Sequence, residues 1–323
     1  MTKTSNSKSL RVLSMFERFK KGKIINRNDE ATRFGVSLKT IQRDIEELRV
    51  YYSSFQPEEN VEITYESSKE GYILKRNNTE WLNCQEILGL SKILLESRGF
   101  SEEETDQLLS KLIKLTSPQN RKHIEDVIAN ERFHYIPLNH DKNLMEMIWD
   151  MSIAIKESRL LEVVYKRNNA QKITRILEPL GVMFDEYYFY LIAHQKNQTD
   201  DYKIPYRLDR IIDYSIKDEH FKISYKDRFK EGEFRKRVQF MTPGSLMKIK
   251  FKFWGRSIEA VLDRLPTAEI IKQNGDTYVI QAEVFGQGIK MWLLSQGQYL
   301  EVLEPASFRS EMAKTIKEMA SNY

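Results

Sequence analysis

Residues 35–48, Gly-Val-Ser-Leu-Lys-Thr-Ile-Gln-Arg-Asp-Ile-Glu-Glu-Leu, constrain this chain more than any other stretch. Ile41, Ile45 and Leu48 recur at i, i+4 and i+7, one face of a helix that must be buried. Ser37 stands where an N-cap belongs, because its hydroxyl can accept a hydrogen bond from an orphaned N–H of the first turn. The opposite face of the opening turns carries Lys39, Thr40, Gln42 and Arg43, all donors and two of them cationic. The helix macrodipole adds partial positive charge at that end, so the surface suits phosphates and base edges. Asp44, Glu46 and Glu47 begin only midway, where a duplex would curve away. The pattern predicts the recognition helix of a winged helix-turn-helix.

An ordinary amphipathic helix with a solvated face shows the same spacing. The flanking residues favour the DNA-binding reading. Leu10, Val12, Leu13, Phe16 and Phe19 mark a first helix that ends near Gly22. Asn26 or Asn28 opens a second, through Glu30, Ala31 and Phe34, and Gly35 makes the turn. After the third helix, Val61-Glu-Ile-Thr-Tyr65 alternates with period two, and a polar turn leads to Tyr72-Ile-Leu-Lys-Arg76. That hairpin is the expected wing, with Lys69 and Lys75 as weaker contacts.

Charge points the same way. The net charge of the 323-residue chain is +4, but residues 1–50 hold 12 Lys+Arg against 6 Asp+Glu, a net of +6, which leaves −2 for the rest. A basic excess confined to the segment with the candidate recognition helix is an electrostatic footprint for DNA. A composition of 41% hydrophobic and 30% charged residues excludes a disordered chain. No apolar run approaches the ~20 residues of a membrane span. The polar start lacks the core of a secretory signal, so the expected location is the cytoplasm. Cys84 is the sole cysteine, which excludes an internal disulfide and a multi-thiolate zinc site.

Residues 80–135 read as three helices, the first carrying Trp81, Ile87, Leu88 and Leu94, the second capped by Ser101, the third started by Ser117-Pro118. Residues 80–131 hold 6 basic and 10 acidic side chains, a net of −4, which suits a spacer or a dimer contact better than DNA. A helix over 144–158 precedes five short strands between residues 160 and 212, with Pro179-Leu-Gly181 bending the chain, the signature of a small barrel or strongly bent sheet. Residues 221–239 are charged and helix-like. From Leu246 onward the pattern is β-α-β-β-α-β-α.

Three motifs carry a family resemblance. Residues 37–48 resemble the recognition helix of WYL-domain transcriptional regulators, with Lys39 in place of the more usual Arg; charge is kept and the bidentate fork is lost. Phe189-Tyr190-Leu191 stands where that family has Trp-Tyr-Leu, and Arg175-Ile-Leu-Glu-Pro179 looks like its Arg-x-x-x-Pro. Tyr206-Arg-Leu-Asp-Arg-Ile211 is similar to its Phe-Arg-Leu-Asp-Arg-Ile, although Ile204 replaces a basic residue. The resemblance implies an α+β multidomain protein. Residues 1–78 would form a winged helix-turn-helix, 79–140 a helical linker for dimerisation, 141–222 a small SH3-like β-barrel (the WYL domain) and 223–323 an α/β winged-helix-like extension that helps dimerise. Some members of that family sit beside phage-defence genes.

The five histidines show no metal-ligand spacing, and neither a phosphate loop nor a nucleophile elbow is visible, so no enzyme, metal or cofactor is expected. The binding chemistry is stronger. Tyr190, Ile192 and His194 alternate onto one face, while Arg207 and Asp209 share a face opposite to Tyr206, Leu208 and Arg210. Arg175, Tyr190, His194 and one of Arg207 and Arg210 are expected to line a pocket for an anionic ligand, a nucleotide or a nucleic-acid end. The expected protein is a sequence-specific repressor, a homodimer on a double-stranded operator, with Ser37, Lys39, Thr40, Gln42 and Arg43 at the DNA. The alternatives are a nucleic-acid-processing enzyme and an accessory factor that binds RNA or protein.

Overall fold

The computed structural model describes residues 7–55, 61–76, 82–116, 118–196, 203–222, 228–242 and 244–323. Among them lie eleven α-helices and three antiparallel sheets, the mixed composition expected. Contacts divide the chain into two units, Met1–Glu96 with Thr105–Tyr135, and Ser97–Glu104 with Ile136–Tyr323.

The first unit opens with three helices and a hairpin. Ser7 caps α1 (Lys8–Lys20). Asn26 caps α2 (Arg27–Phe34), its side-chain oxygen accepting from the N–H groups of Asn28 and Asp29. Gly35 then adopts φ +62°, a left-handed backbone that costs glycine nothing. In α3 (Leu38–Phe55) the Ser37 hydroxyl accepts from Thr40 N–H at 3.2 Å, the expected cap. The helix continues past its expected end near Tyr51. Strands β1 (Val61–Glu66) and β2 (Gly71–Arg76) pair from Val61↔Arg76 to Glu66↔Gly71.

The core of this part is Met15, Phe19, Ile25, Ile41, Ile45, Leu48, Tyr52, Ile63 and Tyr72. The periodic apolar face of α3 is therefore inward, as hydrophobic burial requires. Asp44 departs from expectation. It is buried, not solvent-facing, and forms a two-pronged ion pair with Arg11 of α1, with Nη2 to Oδ1 at 3.1 Å. Glu30 is likewise buried and paired with Arg18. The helices α4 (Cys84–Ser97), α5 (Glu102–Lys114) and α6 (Pro118–Phe133) share a second core of Ile87, Leu95, Leu109, Ile113, Ile124 and Ile128. Trp81 and Ser117 lie outside the described residues.

In the second unit, Ser101 accepts from Glu104 N–H at 3.2 Å, the expected cap of α5. Glu104 then reaches the start of α7 (Met145–Glu157), where its carboxylate accepts from the N–H groups of Leu144 and Met145, each at 2.8 Å. Five strands follow: β3 (Arg159–Lys166), β4 (Lys172–Asp185), β5 (Tyr188–Gln195), β6 (Ile204–Arg207) and β7 (Ile211–His220). Their order is β6-β5-β4-β3-β7, all antiparallel.

The SH3-like barrel does not close: β6 and β7 are the two edges of an open sheet. A 3-10 turn, Leu208–Arg210, separates them and breaks the ladder. The Arg207 N–H donates to the Tyr165 hydroxyl at 3.3 Å, so a side chain takes the place of a strand partner. The residues Pro179-Leu180-Gly181 do not end a strand. They place a bulge inside β4, whose first half pairs with β3 and whose second half pairs with β5. Proline lacks the ladder N–H, and a bulge is where a strand tolerates that loss. One face of the sheet packs on α7 through Leu161, Val163, Leu177, Leu191 and Ala193.

The charged stretch at 221–239 yields one short helix, α8 (Glu231–Arg237), with 223–227 outside the described residues. The final part runs β8 (Leu246–Phe253), α9 (Ile258–Arg264), β9 (Glu269–Asn274), β10 (Thr277–Phe285), α10 (Gly288–Ser295), β11 (Leu300–Glu304) and α11 (Ala306–Ala320), in the expected order. Its sheet, ordered β11-β8-β10-β9, buries Phe251, Ile280 and Val284 against Leu293 and Phe308.

Candidate nucleic-acid and anion-binding surfaces

On the first unit, Ser37, Lys39 and Arg43 are exposed, and Thr40 and Gln42 are half-buried. The Thr40 hydroxyl lies 2.9 Å from that of Ser37, so the two are hydrogen-bonded to each other before any ligand arrives. Lys39 and Arg43 sit one turn apart on the same face of α3. Gln42, between them, is engaged on every side. Its Oε1 accepts from Arg27 Nη1 at 3.1 Å and from the Tyr72 hydroxyl at 2.9 Å, and its Nε2 donates to Glu46 at 2.8 Å.

On the sheet of the second unit, the expected ligand residues separate into distinct surroundings. Tyr190 of β5 stands opposite Arg207 of β6, so their side chains share a face. That face is covered: Tyr190 packs with Met183 and Ile192 against Phe234, Val238 and Met241. Burial pushes the Tyr190 hydroxyl up to about 12, the nearby Arg207 charge opposing that rise. The Arg207 guanidinium lies 3.3 Å from the centre of the Tyr188 ring and binds Asp209 through Nε (3.0 Å) and Nη2 (2.7 Å). Burial works most strongly against the Arg207 charge, but the hydrogen bond to Asp209 and the Asp209 charge together overcome it and raise the affinity of Arg207 for its proton. Arg207 is thus an internal counterion for Asp209, which is itself buried.

Arg210 lies elsewhere, because the 3-10 turn interrupts the strand alternation. It hydrogen-bonds Asn168 and lines an open cleft of about 410 Å³ together with Tyr165, Arg167, Asn168 and Asn169. Beside the cleft Tyr206 meets Tyr165 edge to face, with ring centres 5.2 Å apart. Burial raises the Tyr206 hydroxyl, and the charges of Arg175 and Arg167 oppose that rise. Arg175 does not line the cleft; its Nη1 donates to the Thr174 carbonyl at 3.0 Å, whereas His194 stands at the far end of β5 opposite Glu178. Arg167 was not expected. Its signal in the sequence was an arginine entering an Asn-Asn turn, which alone does not say what the turn overlooks.

The difference between the two arginines is measurable. Arg207→Ala leaves the buried Asp209 carboxylate unpaired and is expected to cost about 2 kcal/mol. Arg210→Ala loses hydrogen bonds to the exposed Asn168 and to the Tyr165 hydroxyl but strands no buried charge, and should cost no more than about 1 kcal/mol. Urea denaturation compares them, and equal losses would contradict the assignment.

Residues 148–216 match the family model described as the WYL domain, and residues 245–320 match that described as the WCX domain. The chain carries a WYL domain followed by a WCX domain. The cleft residues and the Tyr190–Arg207 pair all lie inside the WYL domain. Solved structures similar to the chain include two from different proteins. One is proteasome accessory factor B/C (PafBC) of Arthrobacter aurescens, at 15% identity over 96% of this chain and 47% of that one, with a TM-score of 0.30. The other is described as a CRISPR Cas-related protein, at 16% identity over 98% of this chain and 91% of that one, with a TM-score of 0.37. The chain spans about half the length of the PafBC structure. No curated protein matches it. Among the described residues, no helix is long and apolar enough to cross a membrane.

Proposed function

We propose that this chain is a DNA-binding transcriptional regulator, a repressor whose WYL domain senses an anionic ligand. Residues 7–76 act as a winged helix-turn-helix, with α3 in the major groove and Ser37, Lys39, Thr40 and Arg43 toward the duplex. The observation that carries this reading is the division of labour on α3. Ile41, Ile45 and Leu48 anchor one face, the first turn holds no acidic residue, and Lys39 and Arg43 are exposed on the other face with no ion pair among the described residues. A single recognition helix reads few base pairs, so the working form is a homodimer on a two-fold operator.

The effector site is the cleft of Tyr165, Arg167, Asn168, Asn169 and Arg210. Arginine forks take phosphate oxygens two at a time, the amides read polar edges, and the tyrosines offer ring faces to a base. A nucleotide or a short single strand has that combination of groups. Competition between a labelled fragment of the gene's own promoter and random duplex tests the regulator reading. Release of the fragment by both competitors at equal concentration would contradict a sequence-specific operator.

A further inference from the structure

The side chain of Gln42 is the hub of a network that ties α2, α3 and the hairpin together. Besides its bonds to Arg27, Tyr72 and Glu46, the network holds Arg49, whose Nη1 donates to Glu46 (2.8 Å) and whose Nε donates to the Ile63 carbonyl of β1 (2.8 Å). Arg27 and Arg49 both lie over the Tyr72 ring, 5.9 and 5.5 Å from its centre. Tyr72 is buried, and its backbone exchanges two 2.9 Å hydrogen bonds with Ile25, next to the cap of α2. The Asn26 amide also donates to the Glu70 carbonyl of the hairpin turn at 2.8 Å.

Two consequences follow from this geometry. The Gln42 Oε1 already accepts two hydrogen bonds and one of the two Nε2 hydrogens is donated to Glu46, so the bidentate amide contact that reads adenine would require breaking bonds that the fold makes. Lys39, Gln42, Arg43 and Glu46 recur at i, i+3, i+4 and i+7, so whatever Gln42 holds is delivered to the face that carries Lys39 and Arg43. What it holds is Arg27, an exposed guanidinium at the first position of α2. Only one nitrogen of that guanidinium is committed, and among the described residues Arg27 makes no ion pair. Glu46, at the other end of the row, marks where the cationic face stops.

We propose that Arg27 is a DNA-backbone contact of this protein and that Gln42 is a positioning residue that aims it, braced by the Tyr72 hydroxyl. The inference rests on the DNA-binding reading above. Contacts from the helix preceding the recognition helix set register on the backbone and carry no base information. Loss of Arg27 therefore weakens all sequences alike.

The test uses the full chain and a randomised duplex pool, with affinity measured across a salt series and the bound fraction sequenced. Arg27→Ala is expected to lower affinity about tenfold and to reduce the salt slope by about 0.9, one phosphate contact. Gln42→Ala and Tyr72→Phe should weaken binding in the same direction without changing the selected sequences. The Arg27→Ala/Gln42→Ala double variant should bind like Arg27→Ala alone. A changed base preference in Gln42→Ala would make Gln42 a reader and overturn the proposal. So would an unchanged salt slope in Arg27→Ala when Arg43→Ala lowers it, with the DNA-binding reading left standing. A parent protein that binds no duplex at low salt overturns that reading and this inference together.

Discussion

Asp44→Ala is expected to destabilise the first unit by about 3–5 kcal/mol, the cost of stranding one member of a buried ion pair. Arg11 is 5% and Asp44 1% exposed, so neither charge has water to fall back on. The Asp44 hydrogen bond raises the Arg11 proton affinity against the burial that lowers it, so the guanidinium stays charged with or without comfort. The pair fastens α1 to α3 amid Ile41, Ile45 and Leu48, and its loss should loosen the angle at which α3 is presented. Chemical denaturation followed by circular dichroism measures the effect. A loss under about 0.5 kcal/mol, the scale of a surface substitution, would show that the pair is not closed to solvent. The double variant Arg11→Met/Asp44→Leu should recover most of the stability, because an apolar pair of similar volume carries no desolvation cost.

Arg43→Ala is expected to leave stability unchanged and to weaken duplex binding by ~1–3 kcal/mol, roughly five- to 150-fold. Arg43 is exposed in the second turn of α3 with no bond to the rest of the protein among the described residues, so its removal disturbs nothing inside. If Arg43 contacts a base edge, Arg43→Lys restores charge without the fork, and the preference for the cognate sequence stays relaxed. If it contacts phosphate, lysine recovers most of the affinity. A gel shift at moderate salt with parent-like affinity for Arg43→Ala would remove α3 from the role of reader.

These two residues, neighbours in sequence, show where inference from the chain succeeded and where it stopped. By spacing alone, Arg43 stands on the side of α3 away from Ile41, Ile45 and Leu48, and Asp44 is one of the acids that begin midway along it. Period 3.6 assigns a residue to a face only by its angle, and Asp44 sits at the border of the apolar arc. Whether it faces water depends on a cation arriving from another helix, and Arg11 lies 33 positions away. The same limit applied on the sheet. Alternation placed Tyr190 and His194 on one face, but it could not foresee that Phe234 and Val238 would cover Tyr190. Nor could it foresee the 3-10 turn that carries Arg210 away from Arg207.

What the sequence alone determined about this protein is local and periodic. The caps at Ser37 and Ser101, the left-handed Gly35, the apolar stripe of α3, the two strands of the hairpin and the β-α-β-β-α-β-α order at the end all follow from residues within a few positions of one another. Hydrogen-bond reach and side-chain period act over that range, so the letters suffice. The tertiary structure decided the partners: Arg11 with Asp44, Gln42 with Arg27 and Tyr72, Arg207 with Asp209, Arg210 with the Asn168 turn, and a sheet left open at β6 and β7. Most of these pairings join charges or polar groups far apart along the chain. Their energy depends on burial and approach distance, which exist only once the backbone has closed around them.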